Sequence, residues 1–320
     1  MPSRSRLGKK LFRSFLPILL VLASALVISL GYIVYRTTRP PRQAYLVTPQ
    51  SFSQISGPIL KVTDESWTNL DSTRARGWLL KGAEGAPAVV LLHRYGGDRS
   101  WLFNLGVKIN ETTNFTILWP DLRGHGLNPP VKWTSFGSSE SDDLLAALDF
   151  LRTLKSENKN KLISERVGLY GVELGAYTAL KAATQDSQVK LLVLDSVPRN
   201  TNEVLELALS ENVGVDNKAL QDLTRLATKV YFLGRNENAE ACDLATSLRD
   251  QYVLLLSGAE AGFLRESTAS LQHCFVNKAN VETRTNLPLT GLDLASATGE
   301  QGESYDRIVI DFFDKNLRKQ

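Results

Sequence analysis

Long apolar runs separated by polar segments dominate the pattern of this chain. The first run, Phe15 to Tyr35, has 21 residues and no charged side chain. A helix of that length spans about 30 Å, which is the thickness of the hydrocarbon core of a bilayer. The pattern therefore predicts one N-terminal transmembrane helix.

The rest of the chain alternates short apolar runs with stretches of helical periodicity. Short apolar runs predict buried strands, here at 59–63, 76–80, 88–92, 115–119, 166–170, 191–194, 230–233 and 252–256. Periodicity predicts helices at 139–154, 176–183, 203–209, 218–228 and 304–317. This alternation predicts an α/β fold with a mainly parallel central sheet, two early antiparallel strands, and helices on both faces. We expect the ligand site beyond the carboxyl ends of the strands.

The predicted organisation has four parts. A basic N-terminal tail (1–14) precedes a transmembrane helix (15–35), which is followed by a linker with paired prolines (36–54) and an α/β domain (55–320). A polar insertion at 270–304 interrupts the domain. The segment Ala23-Ser24-Ala25 resembles a signal-peptidase site, so a cleaved signal peptide is the alternative to an anchor. The apolar run continues ten residues past it, which favours a retained anchor.

Charge separates the N-terminal segment from the rest. Residues 1–42 hold eight of the 37 Lys and Arg and no acid, so the basic balance belongs to the membrane segment and does not indicate nucleic-acid binding. Five basic residues precede the apolar run and three follow it, which favours a cytoplasmic N-terminus and an extracytoplasmic domain. No phosphate loop, metal-ligand cluster or cofactor fingerprint is present, so we expect neither cofactor nor metal. The sequence does not specify a small-molecule or protein ligand.

Three motifs indicate a family. Residues 171–175 read Gly-Val-Glu-Leu-Gly between a predicted strand and a predicted helix, as in a GxSxG nucleophile elbow with glutamate in place of serine. Residues 91–97 are similar to a strand-ending His-Gly loop, and 121–126 match a DxRGHG loop. On these motifs, residues 55–317 resemble the α/β-hydrolase superfamily, and within it the membrane-anchored esterases and serine aminopeptidases.

The resemblance assigns a position to each member of the catalytic triad. Glu173 takes the nucleophile position, and Glu237, after the predicted strand 230–233, takes the acid position. The family's histidine follows the last strand, where we place Ala261. Without a hydroxyl nucleophile and an imidazole to relay its proton, the usual serine-hydrolase route is not available.

The resemblance also identifies an oxyanion loop at His93, Arg94 and Tyr95, completed by Leu174 after the nucleophile position. Arg94 stands where the family has glycine. Because this loop faces the elbow in the family, we predict that Arg94 and Glu173 form an ion pair, with a bidentate guanidinium keeping the glutamate charged. The alternative is that Arg94 points into solvent and Glu173 faces water.

Three further features leave alternatives open. Asp195 and Ser196 end a predicted strand. Asp195 is either the catalytic acid, which some relatives keep at this position, or part of a polar strand end with a structural role. His273 could replace the lost imidazole or be an ordinary polar residue of the insertion. Cys242 and Cys274 form either a disulfide, which an exported domain would favour, or two buried free thiols.

Three functions remain consistent with the sequence. The first is a non-catalytic binding protein, and the second is an atypical hydrolase of ester, amide or peptide bonds that uses displaced groups. The third is a mainly structural role in a membrane complex. The fold alone does not decide among them, because function depends on the site.

Overall fold

The computed structural model describes residues 4–56, 61–235, 238–294 and 299–318. Its strands are β1 Val62–Thr68, β2 Arg74–Leu80, β3 Ala86–Leu92, β4 Thr116–Pro120, β5 Ile163–Val172, β6 Val189–Asp195, β7 Tyr252–Gly258 and β8 Val281–Leu287. Its helices are α1 Arg4–Thr37, α2 Pro49–Ser56, α3 Phe103–Thr113, α4 Glu140–Thr153, α5 Leu174–Ala183, α6 Thr201–Val213, α7 Lys218–Tyr231, α8 Ala241–Thr246, α9 Phe263–Leu271 and α10 Gly299–Leu317.

The strands form one sheet in the order β1-β2-β4-β3-β5-β6-β7-β8. β1 pairs antiparallel with β2, and β2 pairs antiparallel with β4, whereas every later pair is parallel. The predicted mainly parallel sheet with two early antiparallel strands is therefore confirmed. The parallel strands β3 to β8 end at the same edge, and β5 leads there into the elbow.

Helices cover both faces of the sheet. Alternate residues of β3 point to opposite faces, so Val90 joins one core with α4 and α5 while Val89 joins the other with α3 and α10. Both side chains are fully buried. This explains why β3 is continuously apolar, as expected for a strand that is covered on both faces.

The end of the first helix packs against the domain. Within α1, Arg13–Thr37 is long and apolar enough to cross a membrane. Its last turn packs on the domain, since Val34 is 3% exposed and Thr37 and Thr38 are fully buried. The backbone N–H of Thr134 donates to the carbonyl of Thr38 at 2.9 Å. The predicted linker 36–54 therefore begins with residues that are packed against the domain.

Two predicted features are wrong. Residues 230 and 231 end α7 and residues 232–235 are not in a strand, because this apolar run continues the apolar stripe of an amphipathic helix. The predicted polar insertion 270–304 contains β8, an edge strand of the central sheet. Its residues alternate between partly buried and exposed, so it lacks the apolar run of a central strand.

Candidate functional site

The elbow is a strained turn between β5 and α5. Glu173 has φ 50° and ψ −108°, a conformation that costs a non-glycine residue about 1–3 kcal/mol. Small residues on each side allow this close packing, since a Cβ on Gly171 would lie 2.3 Å from the carbonyl oxygen of Gly175. A Cβ on Gly175 would lie 2.3 Å from the carbonyl oxygen of Leu92. The GxExG sequence thus retains the backbone geometry of a nucleophile elbow.

The carboxyl group of Glu173 is removed from water. The residue is 1% exposed, and its Oε1 atom has no hydrogen-bond partner. Burial raises the pKa of Glu173 to about 8, against the lowering effects of the Arg94 charge and of the backbone N–H groups of Tyr95 and Leu174. The side chain is therefore a neutral acid at pH 7.

Arg94 is shared between two carboxylates. Its Nη1 atom donates to Glu211 Oε1 at 3.1 Å, and the same atom lies 4.0 Å from Glu173 Oε2. The guanidinium also lies over the ring of Trp101, 5.4 Å from its centroid. The predicted pairing of Arg94 with Glu173 is present as a 4.0 Å contact. It lacks the predicted bidentate hydrogen bonds, because α6 supplies a competing and more exposed acid.

The end of α1 lies over the oxyanion loop. The Tyr95 hydroxyl donates to the carbonyl of Thr37 at 2.8 Å. The side-chain amide of Asn212, on α6, donates to the carbonyl of Arg36 at 3.0 Å and to the Tyr95 hydroxyl at 3.2 Å. These bonds join the loop, the apolar helix and α6. They close the cleft above Glu173.

The sheet order reassigns the remaining triad positions. The resemblance places the histidine after the last strand, which is β8, whereas Ala261 follows β7. The assignment of Ala261 to the histidine position is therefore wrong, because β8 was not recognised. Residues 288–294, which follow β8, contain no histidine. Glu237 lies outside the described residues, and the strand 230–233 that was to position it is absent from the structure at those residues.

The chain has three histidines. Two are structural: His93 Nδ1–H donates to the carbonyl of Arg94 at 2.7 Å, and its Nε2 accepts from the backbone N–H of Leu122 at 3.1 Å. His125 Nδ1–H donates to the carbonyl of Arg123 at 2.9 Å. Burial lowers the pKa of both rings. His273 is exposed and precedes β8. It therefore lies at the end of the sheet where the parallel strands begin, opposite the elbow.

Asp195 is held in a buried network that the sequence did not indicate. Its carboxylate accepts from the Tyr305 hydroxyl at 2.5 Å, the Ser196 hydroxyl at 2.7 Å and the backbone N–H of Gly291 at 2.7 Å. Burial raises the pKa of Asp195 to about 6, and these hydrogen bonds oppose the shift. The Tyr305 hydroxyl also contacts that of Tyr170 at 2.8 Å. The network ties α10 and the loop after β8 to the ends of β5 and β6.

Cys242 and Cys274 form a disulfide with a Cα–Cα distance of 5.2 Å. It links the start of α8 to the segment after α9. Among the described residues, no group of three or more His, Cys, Asp or Glu side chains is arranged to hold a metal ion.

Structural similarity to known proteins covers more of the chain than sequence similarity does. No protein-family profile matches the chain. An uncharacterised protein of Mycobacterium tuberculosis is 32% identical over 160 residues, which are 48% of this chain and 42% of that protein. The chain thus spans less than half the length of this curated relative.

Solved structures align over most of the chain. An esterase of Pyrococcus furiosus aligns with a TM-score of 0.62 at 19% identity, over 88% of this chain and 98% of the esterase. An α/β-hydrolase of a Penicillium species aligns with a TM-score of 0.60 at 17% identity, over 81% of this chain and all of that protein. With the sheet order and the elbow geometry, these likenesses establish that the chain has the α/β-hydrolase fold.

Proposed function

We propose that this protein is a membrane-anchored α/β-hydrolase-fold protein that has lost serine-hydrolase chemistry and acts by binding a small-molecule or protein ligand. The observation that carries the proposal is the burial of Glu173 at the apex of the elbow. An attacking group must be exposed to substrate and activated by a base. Glu173 is 1% exposed, and none of the three histidines is placed to activate it.

Three features of the cleft support binding over turnover. The Glu173 side chain fills the buried apex of the elbow, so substrate would have to displace it. Arg94 is bonded to Glu211 across the entrance. The last turn of α1 covers the loop through the Tyr95–Thr37 hydrogen bond. A ligand would therefore bind to the outer surface of the closed cleft.

We further propose that α1 is a single-pass anchor with a cytoplasmic N-terminus and an extracytoplasmic domain. The length and apolar character of Arg13–Thr37 support the anchor. The excess of basic residues before the apolar run supports the orientation. The disulfide between Cys242 and Cys274 is consistent with an oxidising compartment.

An activity assay on the full-length protein in detergent tests the loss of chemistry. We expect no fluorophosphonate labelling, and no turnover of a panel of activated esters, thioesters and aminoacyl amides at pH 7 or pH 9. The higher pH is included because Glu173, with a pKa of about 8, ionises there and could then act as a nucleophile. The matched control is Glu173→Gln, which keeps the size of the side chain and removes the acid.

A second candidate, an atypical hydrolase, is favoured by two observations. The elbow strain at Glu173 is retained, and its pKa is strongly shifted, as is common for catalytic groups. Ester turnover that rises between pH 7 and pH 9 and disappears in Glu173→Gln would establish this candidate. It would also overturn the binding proposal.

A further inference from the structure

Helix α7 exposes a stripe of large apolar side chains. Leu223, Leu226 and Val230 lie on one side of the helix and are 41%, 61% and 67% exposed. Tyr231 and Leu233 extend the stripe past the helix end, with exposures of 45% and 79%. A contiguous apolar surface of this kind marks an interaction site.

The side of α7 that meets the protein is partly polar. Its buried residues are Thr224 and Thr228, whose hydroxyls donate to the carbonyls of Leu220 and Thr224, each at 2.8 Å. Thr224 and Thr228 therefore face the protein together with Leu220, which packs against the core. Leu223, Leu226 and Val230 face outward. In membrane proteins, small residues mediate helix packing and large apolar residues face lipid.

The position of α7 brings the stripe to the level of the bilayer surface. α7 packs directly against α1. The apolar stretch Arg13–Thr37 has 25 residues, or about 37 Å of helix, whereas the hydrocarbon core is about 30 Å thick. The last turn of α1 is therefore expected at the lipid headgroups, and it is this end, at Val34 and Thr37, that is buried on the domain.

Basic and aromatic side chains are exposed in and next to the stripe and at the end of α1. Lys229 and Arg235 are exposed beside it, and Arg36 is exposed at the end of α1. Tyr231 lies in the stripe. Tyr35 has an exposed fraction of 52%, and the guanidinium of Arg39 lies over its ring, 3.9 Å from the centroid. Tyrosine is enriched at membrane interfaces, and lysine and arginine there bind anionic lipids.

We propose that α7 is an interfacial helix whose apolar stripe is inserted in the same bilayer that α1 spans. The proposal rests on the membrane anchoring proposed above. It assigns the stripe to phospholipid, with acyl chains against Leu223, Leu226 and Val230 and anionic headgroups against Lys229 and Arg235. The closed cleft then faces the membrane surface.

Lipid quenching of a fluorophore tests the arrangement in the full-length protein. Both native cysteines are in the disulfide, so a single introduced cysteine is the only free thiol. Leu226→Cys probes the stripe, and Val21→Cys probes the middle of α1. Glu157→Cys is the matched control, because it is exposed and lies in the connection before β5, at the sheet edge opposite the elbow. Each variant is labelled with an environment-sensitive nitrobenzoxadiazole dye and reconstituted in brominated phosphatidylcholine with phosphatidylglycerol.

We expect the labels at positions 226 and 21 to shift to shorter emission wavelength and to lose most of their fluorescence to the brominated lipid. The label at 157 should be quenched by aqueous iodide instead. Quenching at 21 without quenching at 226 would overturn the interfacial helix and leave the anchor intact. No quenching at 21 would reject the anchor itself. Disulfide-linked dimers of unlabelled Leu226→Cys in dilute proteoliposomes would assign the stripe to a second copy of the chain.

Discussion

Arg94 lies 4.0 Å from Glu173 yet forms no hydrogen bond with it. The guanidinium instead bonds to Glu211, whose side chain is 44% exposed, while that of Glu173 is 2% exposed. The positive charge lowers the pKa of Glu173, and the negative charge of Glu211 raises it. Burial is the main cause of the raised pKa of Glu173, and these two charged residues modulate it in opposite directions.

Removal of the guanidinium should make Glu173 a weaker acid. In Arg94→Ala we expect the pKa of Glu173 to rise above about 8, because the remaining charge at the site, Glu211, is negative. The measurement is a pH titration of the carboxyl ¹³C shift in protein labelled at glutamate. Arg74→Ala, which removes an exposed arginine that bonds to Ser66, is the control. An unchanged pKa in Arg94→Ala would show that the 4.0 Å contact has no electrostatic effect.

Removal of the competing acid should have the opposite effect. In Glu211→Gln, the negative charge that raises the pKa of Glu173 is lost, and Arg94 loses its charged hydrogen-bond acceptor. The guanidinium can then bond to Glu173, so the pKa should fall below about 8. The same ¹³C titration measures this shift. A rise would mean that Glu211 holds Arg94 in place for Glu173.

Glu173 should make the protein less stable as pH rises. The pKa is about 8 in the folded state and 4.5 in the ordinary carboxyl, so the unfolded chain releases a proton that the folded chain keeps between these values. The free energy of unfolding therefore falls across this window, by up to about 1.4 kcal/mol per pH unit. In Glu173→Gln this fall is absent. Chemical denaturation in detergent measures the free energy of unfolding at pH 6.5 and pH 8. The difference between Glu173→Gln and wild type should shift in favour of the variant from the lower to the higher pH.

The choice of pH separates Glu173 from Asp195 and Asp143. Asp195 and Asp143 also have raised pKa values, each about 6, and their contributions to the pH dependence end near that value. Asp195→Asn is the matched control, because it should change stability below pH 6 and leave the slope between pH 6.5 and pH 8 unaltered. Equal slopes for wild type and Glu173→Gln would place the Glu173 carboxyl in contact with water.

The central sheet was predictable because its parallel strands are buried on both faces. Val89 and Val90 of β3 each belong to a core, so sequence and burial agree. The edge strand β8 was missed because one of its faces meets solvent and its residues alternate. The residues at 230–233 form a short apolar run, which predicts a strand, but in the structure they lie at the end of an exposed apolar helix face.

The elbow was predictable, and the environment of its central residue was not. The glycines at 171 and 175 are required by contacts shorter than 3 Å, and this requirement is visible in the sequence. The partner of Arg94 depends on where α6 places Glu211, 117 residues away. The hydrogen bond of Tyr305 to Asp195 spans 110 residues. Neither contact leaves a local sequence pattern.

Loss of the Tyr305 hydroxyl should destabilise the fold and raise the pKa of Asp195 further. In Tyr305→Phe the buried carboxylate loses a donor at 2.5 Å, at a cost of about 1–3 kcal/mol. Denaturation in detergent measures the cost, and carboxyl ¹³C titration measures the pKa. Tyr231→Phe removes a hydroxyl from a half-exposed residue and should be neutral. A neutral Tyr305→Phe would mean that Ser196 and Gly291 satisfy Asp195 alone.

The disulfide should report both stability and compartment. It closes a loop with a sequence separation of 32, and a bond of this kind contributes about 2–4 kcal/mol, chiefly by restricting the unfolded chain. The double variant Cys242→Ser/Cys274→Ser should therefore unfold at lower denaturant concentration, whereas wild type treated with reductant should match it. In intact cells, an extracytoplasmic domain will hold both cysteines oxidised, so a maleimide reagent will add mass only after reduction. Free thiols that react without reduction would place the domain on the reducing side of the membrane and reverse the orientation proposed for α1.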